Sequence, residues 1–397
     1  MVKVEVKNLF KIFGPTPKKI YPLIKQGINK EQILKQTGHG VGVNDASFAV
    51  EEGEIFVVMG LSGSGKSTLI RCLNRLIEPS SGEILIDGQN IVGCSKETLQ
   101  DVRRKKVAMI FQNFALLPHR SVLDNVGFGL EIQNEDLNTR NQKSIESLEL
   151  VGLKGYENSM PSELSGGMQQ RVGLARALTT NPDILLMDEA FSALDPLIRK
   201  EMQDELLSLQ DRMHKTIIFI THDLDEALKI GDRIAIMKDG IIVQIGTPEE
   251  ILNSPADDYV KEFVQDVNRA KIVTASSIMK KVDTIVSSKD GVRVAVRKMK
   301  EASISSIFVV DKARHLKGIV TIDDATNLLK QNKNDLESII HKNVNTVSGN
   351  TSIEELLPLF ISSPYPVVVL DDDNRVLGII FKVSVLAGLL GEEDNDV

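Results

Sequence analysis

Gly60-Leu61-Ser62-Gly63-Ser64-Gly65-Lys66-Ser67 lies between a short apolar run, Ile55–Met59, and an amphipathic stretch that opens at Thr68. The octet satisfies G-x-x-x-x-G-K-[ST] in full. A strand before it and a helix after it are the context that pattern requires. Glycines in such a loop let backbone N–H groups turn toward phosphate oxygens, and the helix N-terminus adds positive potential. Lys66 is then placed to reach the β- and γ-phosphates, and the Ser67 hydroxyl to ligate Mg²⁺.

Two further segments carry chemistry. Ile184-Leu185-Leu186-Met187-Asp188-Glu189 is an apolar strand ending in two carboxylates. Asp188 would hold Mg²⁺, directly or through water. Glu189, one residue on, could orient or deprotonate a water. Leu164-Ser165-Gly166-Gly167-Met168-Gln169-Gln170-Arg171 places Ser-Gly-Gly before a helix expected over Val172–Leu178, a second anion-binding helix start.

Working outward, residues 60–260 alternate apolar runs, Ile217–Ile220 among them, with amphipathic stretches. That is the pattern of an α/β domain with a mostly parallel sheet. Strands are also expected over the opening dozen residues and over Asp45–Val50. The Lys-rich stretch 15–42, with Pro15, Pro17 and Pro22, reads as an insertion carrying one short helix near Lys30–Thr37. Residues 118–155 turn helical and polar, part of a helical subdomain placed at about 118–180.

After about residue 265 the texture changes to an internal repeat. Phe308-Val309-Val310-Asp311 and His315–Val320 correspond to Val368-Val369-Leu370-Asp371 and Arg375–Ile380, sixty residues on. Each copy reads strand, turn, strand, helix, and two copies suit a tandem pair packed on each other. The expected division is 1–265, 266–332, 333–391 and an acidic tail over 392–397.

Composition is that of a folded globular chain: 397 residues, 42% hydrophobic and 26% charged. The net charge of −8 opposes general nucleic-acid binding. Two cysteines, Cys72 and Cys94, make no disulfide framework and fit a reducing compartment. No signal-peptide pattern opens the chain, and no run of about 18 apolar residues offers a membrane span.

Taken together, residues 1–265 resemble the nucleotide-binding subunit of an ABC transporter. The resemblance implies a P-loop ATPase with a RecA-like core plus helical subdomain. It implies ATP and Mg²⁺ as ligands, with Gly60, Leu61, Ser62, Gly63, Ser64, Gly65, Lys66, Ser67 and Thr68 around the phosphates. Phe13 falls where the family places an adenine-stacking aromatic. Gln112 resembles the glutamine that touches Mg²⁺ and faces the membrane subunit. Ser192-Ala193-Leu194-Asp195 resembles the D-loop, and His222 the switch histidine at the γ-phosphate. In this family two chains sandwich two ATP molecules, so Ser165, Gly166, Gly167 and Asp195 would serve the opposite subunit's site. Glu189, His222 and Lys66 would be catalytic; Ser67, Gln112 and Asp188 would hold Mg²⁺.

The repeat resembles a pair of CBS modules, α+β units that often bind adenine nucleotides. The first keeps Thr321 and Asp324 where the family faces ribose and phosphate. The second departs, with Phe381 and Ser384 in their place. An ABC subunit with a CBS pair and this insertion resembles the ATPase of glycine betaine and proline importers. That implies a homodimer on a membrane permease with a substrate-binding component, at the cytoplasmic face of the membrane. Regulation would answer to ionic strength or to an adenine nucleotide such as cyclic di-AMP. Two basic clusters, Arg103-Arg104-Lys105-Lys106 and Arg293, Arg297, Lys298 and Lys300, are candidates for meeting an anionic membrane surface. The alternatives are a soluble ABC ATPase of DNA repair or translation, and a CBS-based sensor with a secondary ATPase.

Overall fold

The computed structural model describes residues 1–112, 115–265, 267, 269–281, 285–287, 290–302, 304–363 and 365–390. The acidic tail expected at 392–397 lies outside them. The chain divides into two compact units, Met1–Val267 and Asn268–Val397.

The first unit opens with β1 (Val2–Phe13), whose alternating valines put Val4 and Val6 inside. The insertion follows with α1 (Tyr21–Lys25) and α2 (Lys30–Thr37), the latter capped by Asn29, which accepts from Gln32 N. Lys30–Thr37 was the helix expected there; α1 and a short turn at Pro17–Lys19 were not. Ile12, Ile20 and Ile33 form a small core of their own beneath the insertion. Next come β2 (Gly40–Glu51), β3 (Ile55–Met59), α3 (Lys66–Leu73), β4 (Ser81–Ile86), β5 (Gln89–Asn90), α4 (Lys96–Lys105) and β6 (Val107–Ile110). The helix behind the phosphate loop starts at Lys66, two residues before Thr68, because the loop's last glycine already turns the chain into it.

A helical stretch of α5 (Val122–Ile132), α6 (Leu137–Leu150) and α7 (Gly166–Thr179) interrupts the strands. Then β7 (Ile184–Asp188), α8 (Pro196–Met213), β8 (Thr216–Thr221), α9 (Leu224–Ile230), β9 (Arg233–Lys238), β10 (Ile241–Gly246), α10 (Pro248–Asn253) and α11 (Asp258–Val264) complete the unit.

β1, β2, β4 and β5 form an antiparallel sheet in the order β2-β1-β4-β5. The other six strands run β10-β9-β3-β8-β7-β6, with β9, β3, β8, β7 and β6 parallel. Every residue of β3, β7 and β8 is buried, as expected for parallel strands covered on both faces. One apolar core joins the two sheets, with Phe48 and Phe56 stacked at 5.1 Å between ring centroids. Cys72 lies fully inside it and is packing.

Register positions the site. Met59 pairs with Thr221 across β3 and β8, and Asp188 pairs with Ile220 across β7 and β8. Three adjacent parallel strands therefore end flush, and the loops after them rise from one edge. Ligands of open α/β sheets bind at that carboxyl edge.

The second unit holds α12 (Ala275–Ile278), β11 (Lys280–Lys281), β12 (Ile285–Ser287), α13 (Val292–Glu301), β13 (Ser306–Val310), β14 (Leu316–Thr321) and α14 (Ile322–Lys330). The repeat continues with β15 (Thr346–Ser348), α15 (Ile353–Ser362), β16 (Val367–Leu370), β17 (Val376–Ile380) and α16 (Lys382–Leu390). The strands make two sheets, β12-β13-β14 and β11-β17-β16-β15. Phe308, Val310 and Ile319 of the first copy share a core with Val368 and Val376 of the second, so the copies pack on each other.

Candidate functional site

The loop after β3 is built on close backbone approach. Gly60, Gly63 and Gly65 have φ of 152°, 79° and 107°. A Cβ on Gly60 would stand 2.2 Å from the Met237 carbonyl oxygen, and one on Gly65 would stand 2.1 Å from that of Gly42. Only glycine fits either place. Ser64 donates its N–H to Leu61 O at 3.1 Å, closing a tight turn.

Lys66 is almost fully buried and folds back on this turn. Its Nζ donates to Gly60 O at 2.7 Å and Leu61 O at 3.1 Å, with Glu189 Oε1 at 3.9 Å. Burial lowers its pKa, opposed by the nearby carboxylates of Glu189 and Asp188. Ser67 Oγ donates to Asp188 Oδ1 at 2.9 Å, which brings the hydroxyl and the carboxylate into one place. Arg71, one helical turn after Ser67, takes the other oxygen, Asp188 Oδ2, at 3.1 Å.

Glu189 follows the end of β7 with φ of 47°, a region that non-glycine residues seldom enter. Its N–H donates to Ile220 O, and Ser192 Oγ donates to its carbonyl. The carboxylate accepts from Gln112 Nε2 at 3.4 Å and has His222 Nδ1 at 3.5 Å. Gln112 also reaches Ser192 Oγ at 3.3 Å. His222 is 54% exposed, an accessible side chain at the sheet edge and not a core histidine.

Phe13 is 43% exposed at the end of β1. A Cβ on Gly42 would lie 2.8 Å from the Phe13 ring and 3.0 Å from the Thr68 methyl. The open ring therefore borders the start of α3. Ser165 caps α7 by accepting from Met168 N, and both Ser165 and Gly166 are exposed. Asp195 caps α8 by accepting from Ile198 N at 3.1 Å.

The donor set suits ATP with Mg²⁺. Ser64 Oγ is buried with no hydrogen-bond partner, and at Gly63 beside it nothing lies within 4 Å of where a Cβ would stand. Ser67, Asp188 and Gln112 supply the hard oxygen ligands that Mg²⁺ prefers.

Three residues of this site escaped the sequence reading. Arg71 could have been found, because it lies four positions after Ser67 on the same helix face. Gln170 of α7 donates to Ala190 O at 2.5 Å and so ties the Ser-Gly-Gly helix to the segment after Glu189. Lys30 of the insertion donates to Gly63 O at 3.1 Å.

In the second unit Thr321 caps α14 and donates to Asp324 Oδ2 at 2.5 Å. His341 Nε2 stands 2.8 Å from the same oxygen. These two hydrogen bonds hold the Asp324 carboxyl below the usual carboxylate range, His341 contributing most. The basic clusters are less uniform than they read. Arg103 is spent on the carbonyls of Asn74 and Arg75, and Lys106 pairs with Asp87 at 2.6 Å. Lys298 donates to Ile285 O at 2.7 Å, and Arg297 faces Glu301 at 3.8 Å.

A nucleotide-binding loop, a strand-end carboxylate pair and a Ser-Gly-Gly helix on one parallel sheet define an ATP-binding cassette. The chain belongs to the ABC transporter family, as an ATP-binding subunit with a C-terminal CBS pair. The model of the family described as ABC transporter matches residues 43–192, and that of the CBS domain matches 275–331 and 336–391. The chain is similar to the glycine betaine/carnitine transport ATP-binding protein GbuA of Listeria monocytogenes. They are 55% identical over 395 residues, 100% of this chain and 99% of the relative. The glycine betaine/proline betaine transport system ATP-binding protein ProV of Escherichia coli (strain K12) is 50% identical, over 100% of this chain and 99% of its own length. Among solved structures, the dimer of the bacterial ABC transporter cassette MJ0796 matches with a TM-score of 0.53 and 30% identity. It covers 62% of this chain and 98% of that one. Among the described residues, no helix is long and apolar enough to cross a membrane.

Proposed function

We propose that this chain hydrolyses ATP to power import of an osmoprotectant, glycine betaine or a related quaternary amine, through a separate membrane permease fed by a substrate-binding component. The observation that carries this reading is likeness over the full length, CBS pair included, to betaine transport subunits. That same likeness favours it over a soluble ABC ATPase of DNA repair or translation. The working unit is a homodimer held at the cytoplasmic face of the membrane by the permease.

Ser67, Asp188 and Gln112 would hold Mg²⁺, whose part is to neutralise charge on the phosphate oxygens. Arg71 fixes the Asp188 carboxylate. Lys66 leaves the carbonyls of Gly60 and Leu61 for the β- and γ-phosphates. The loop amides of residues 60–68 other than that of Ser64, which stays on Leu61 O, take the remaining oxygens, and Phe13 stacks on adenine. Glu189 accepts a proton from the attacking water while the water oxygen bonds to the γ-phosphorus and the bond to the leaving ADP breaks. Gln112 and His222, both on the same carboxylate oxygen, aim it. His222 also braces the γ-phosphate. Two chains face each other, each offering Ser165, Gly166, Gly167 and Asp195 to the other's nucleotide. The exposed start of α7 supports that arrangement.

The CBS pair regulates turnover. Its ligand would be an adenine nucleotide such as cyclic di-AMP at Thr321 and Asp324, displacing His341 from the carboxylate. Sensing of ionic strength at an anionic membrane would fall to the exposed Arg104, Lys105, Arg293 and Lys300, since Arg103, Lys106, Arg297 and Lys298 already have partners. The test is betaine uptake and ATPase activity in proteoliposomes with the cognate permease, scanned over KCl. Both should depend on betaine and rise with salt; ATPase indifferent to betaine and salt refutes the import reading.

A further inference from the structure

The insertion between β1 and β2 is a built element. It packs on the end of β1 through a small apolar core of Ile12, Ile20 and Ile33. Buried His39 ties its two ends together: Thr16 N donates to His39 Nε2 at 3.2 Å, and His39 Nδ1 meets Thr37 O at 2.9 Å. Asn29 caps α2 and fixes where Lys30 begins. From that start Lys30 Nζ reaches Gly63 O at 3.1 Å and Asp239 Oδ1 at 2.6 Å. Asp239 stands in the β9–β10 turn, whose next residue, Gly240, donates its N–H to Ser64 O at 2.8 Å and accepts from Asn44 N at 2.8 Å.

The phosphate loop is thus gripped at both ends of one turn. Lys66 takes the carbonyls of Gly60 and Leu61, which open it. Lys30 takes the carbonyl of Gly63, which closes it. Peptide planarity makes this consequential: a carbonyl held in one direction sends the N–H of the following residue in the opposite one. When Lys66 turns toward phosphate, its bonds to the loop are given up and the Lys30 bond is left. Asp239 holds the Lys30 ammonium beside the Gly63 carbonyl.

We propose that Lys30 is a positioning residue for ATP, holding the Gly63–Ser64 peptide so that the loop keeps its phosphate-ready shape, and that the insertion is thereby part of the nucleotide site. This rests on the reading of residues 60–67 as the ATP loop.

The test uses the full chain assembled with its permease in proteoliposomes, with ATPase rate measured against ATP concentration for K30M, K30R, D239N and K66A. Losing this one indirect hydrogen bond, taken at the net worth of an ordinary protein hydrogen bond, should raise KM for ATP about three- to tenfold in K30M. Its kcat at saturating ATP and its Tm should match the parent. K30R should restore KM, and D239N should raise it by a smaller factor. An unchanged KM in K30M, with nucleotide binding lost in K66A, overturns the positioning role and leaves the ATP loop standing. So does a fall in kcat together with a lower Tm, which would mark a merely structural contact. Retained binding in K66A would instead sink the reading on which the proposal rests.

Discussion

Replacing Glu189 with glutamine isolates its proposed role as proton acceptor from everything else the residue does. The side chain keeps its length and planar shape, and an amide oxygen can still accept from Gln112 Nε2, now 3.4 Å away. The strained backbone at φ 47° is equally open to glutamine. What disappears is basicity and one negative charge. Loss of a positioned general base slows the chemical step by about 10²- to 10⁴-fold. The charge acts on binding in the other direction. Glu189 Oε1 lies 3.9 Å from Lys66 Nζ, and their side chains are 19% and 4% exposed. At such a distance the attraction is about 1 kcal/mol in water and about 4 kcal/mol at an effective dielectric of 20. In E189Q, Lys66 gives up less to reach phosphate, and the γ-phosphate meets no carboxylate. ATP affinity should therefore hold or tighten. Phosphate release from the permease-bound transporter and light scattering of the chain with Mg-ATP would show both: turnover lost, and an ATP-dependent dimer that persists. Turnover within about threefold of the parent would refute Glu189 as the base, and loss of ATP binding would refute the geometry assigned to its carboxylate.

F13A should weaken ATP by about tenfold, the order expected for one lost base stack, and leave kcat at saturating ATP unchanged; an unaltered KM would remove Phe13 from the site. Glu226 is the interior case. It sits in the first turn of α9, whose cap is Asp223, and accepts from Gln203 Nε2 at 3.0 Å; burial raises its pKa from 4.5, with Asp223 adding to the rise and Thr221, Gln203 and Arg199 opposing it. An acid with a raised folded pKa draws down stability as pH climbs from its unfolded value upward. E226Q should therefore raise Tm by on the order of a few degrees at pH 8 and by nothing at pH 4. An equal shift at both pH values, read by scanning calorimetry, would show that the gain is not electrostatic.

How much of this was legible follows from how local each signal is. The phosphate loop reads from eight consecutive residues because its chemistry is mostly backbone, and glycine spacing reports backbone directly. Asp188 and Glu189 read from the apolar run before them, since a buried parallel strand must end where polar groups resume. The repeat reads because two copies of one unit carry the same strand-turn-strand alternation. The basic clusters read only in part, because charge in sequence does not show where a side chain points. Arg103 and Lys106 sit beside Arg104 and Lys105 but meet Asn74, Arg75 and Asp87 across the fold. Lys30 was invisible for the same reason: its partners Gly63 and Asp239 are brought to it only when β2 and the β9–β10 turn fold together.

Glu189 shows why some of the site had to stay hidden. A residue in the left-handed region costs about 1–3 kcal/mol, and glycine would remove that cost. Glycine cannot supply a carboxylate, so the strain is retained and the surroundings hold it. Ile220 O takes the Glu189 N–H, and Ser192 Oγ donates to its carbonyl. Those contacts come from the neighbouring strand and from the turn that follows. The same turn carries Ser192 to Gln112, and the same strand runs on to His222. The groups that enforce the strained backbone thus belong to the elements that present the carboxylate's other partners. A shift in β8 or in the 189–195 turn would therefore disturb the backbone of Glu189 and the aim of its side chain together. The dimer contacts proposed at Asp195 would act on the proposed base by that route, without touching it.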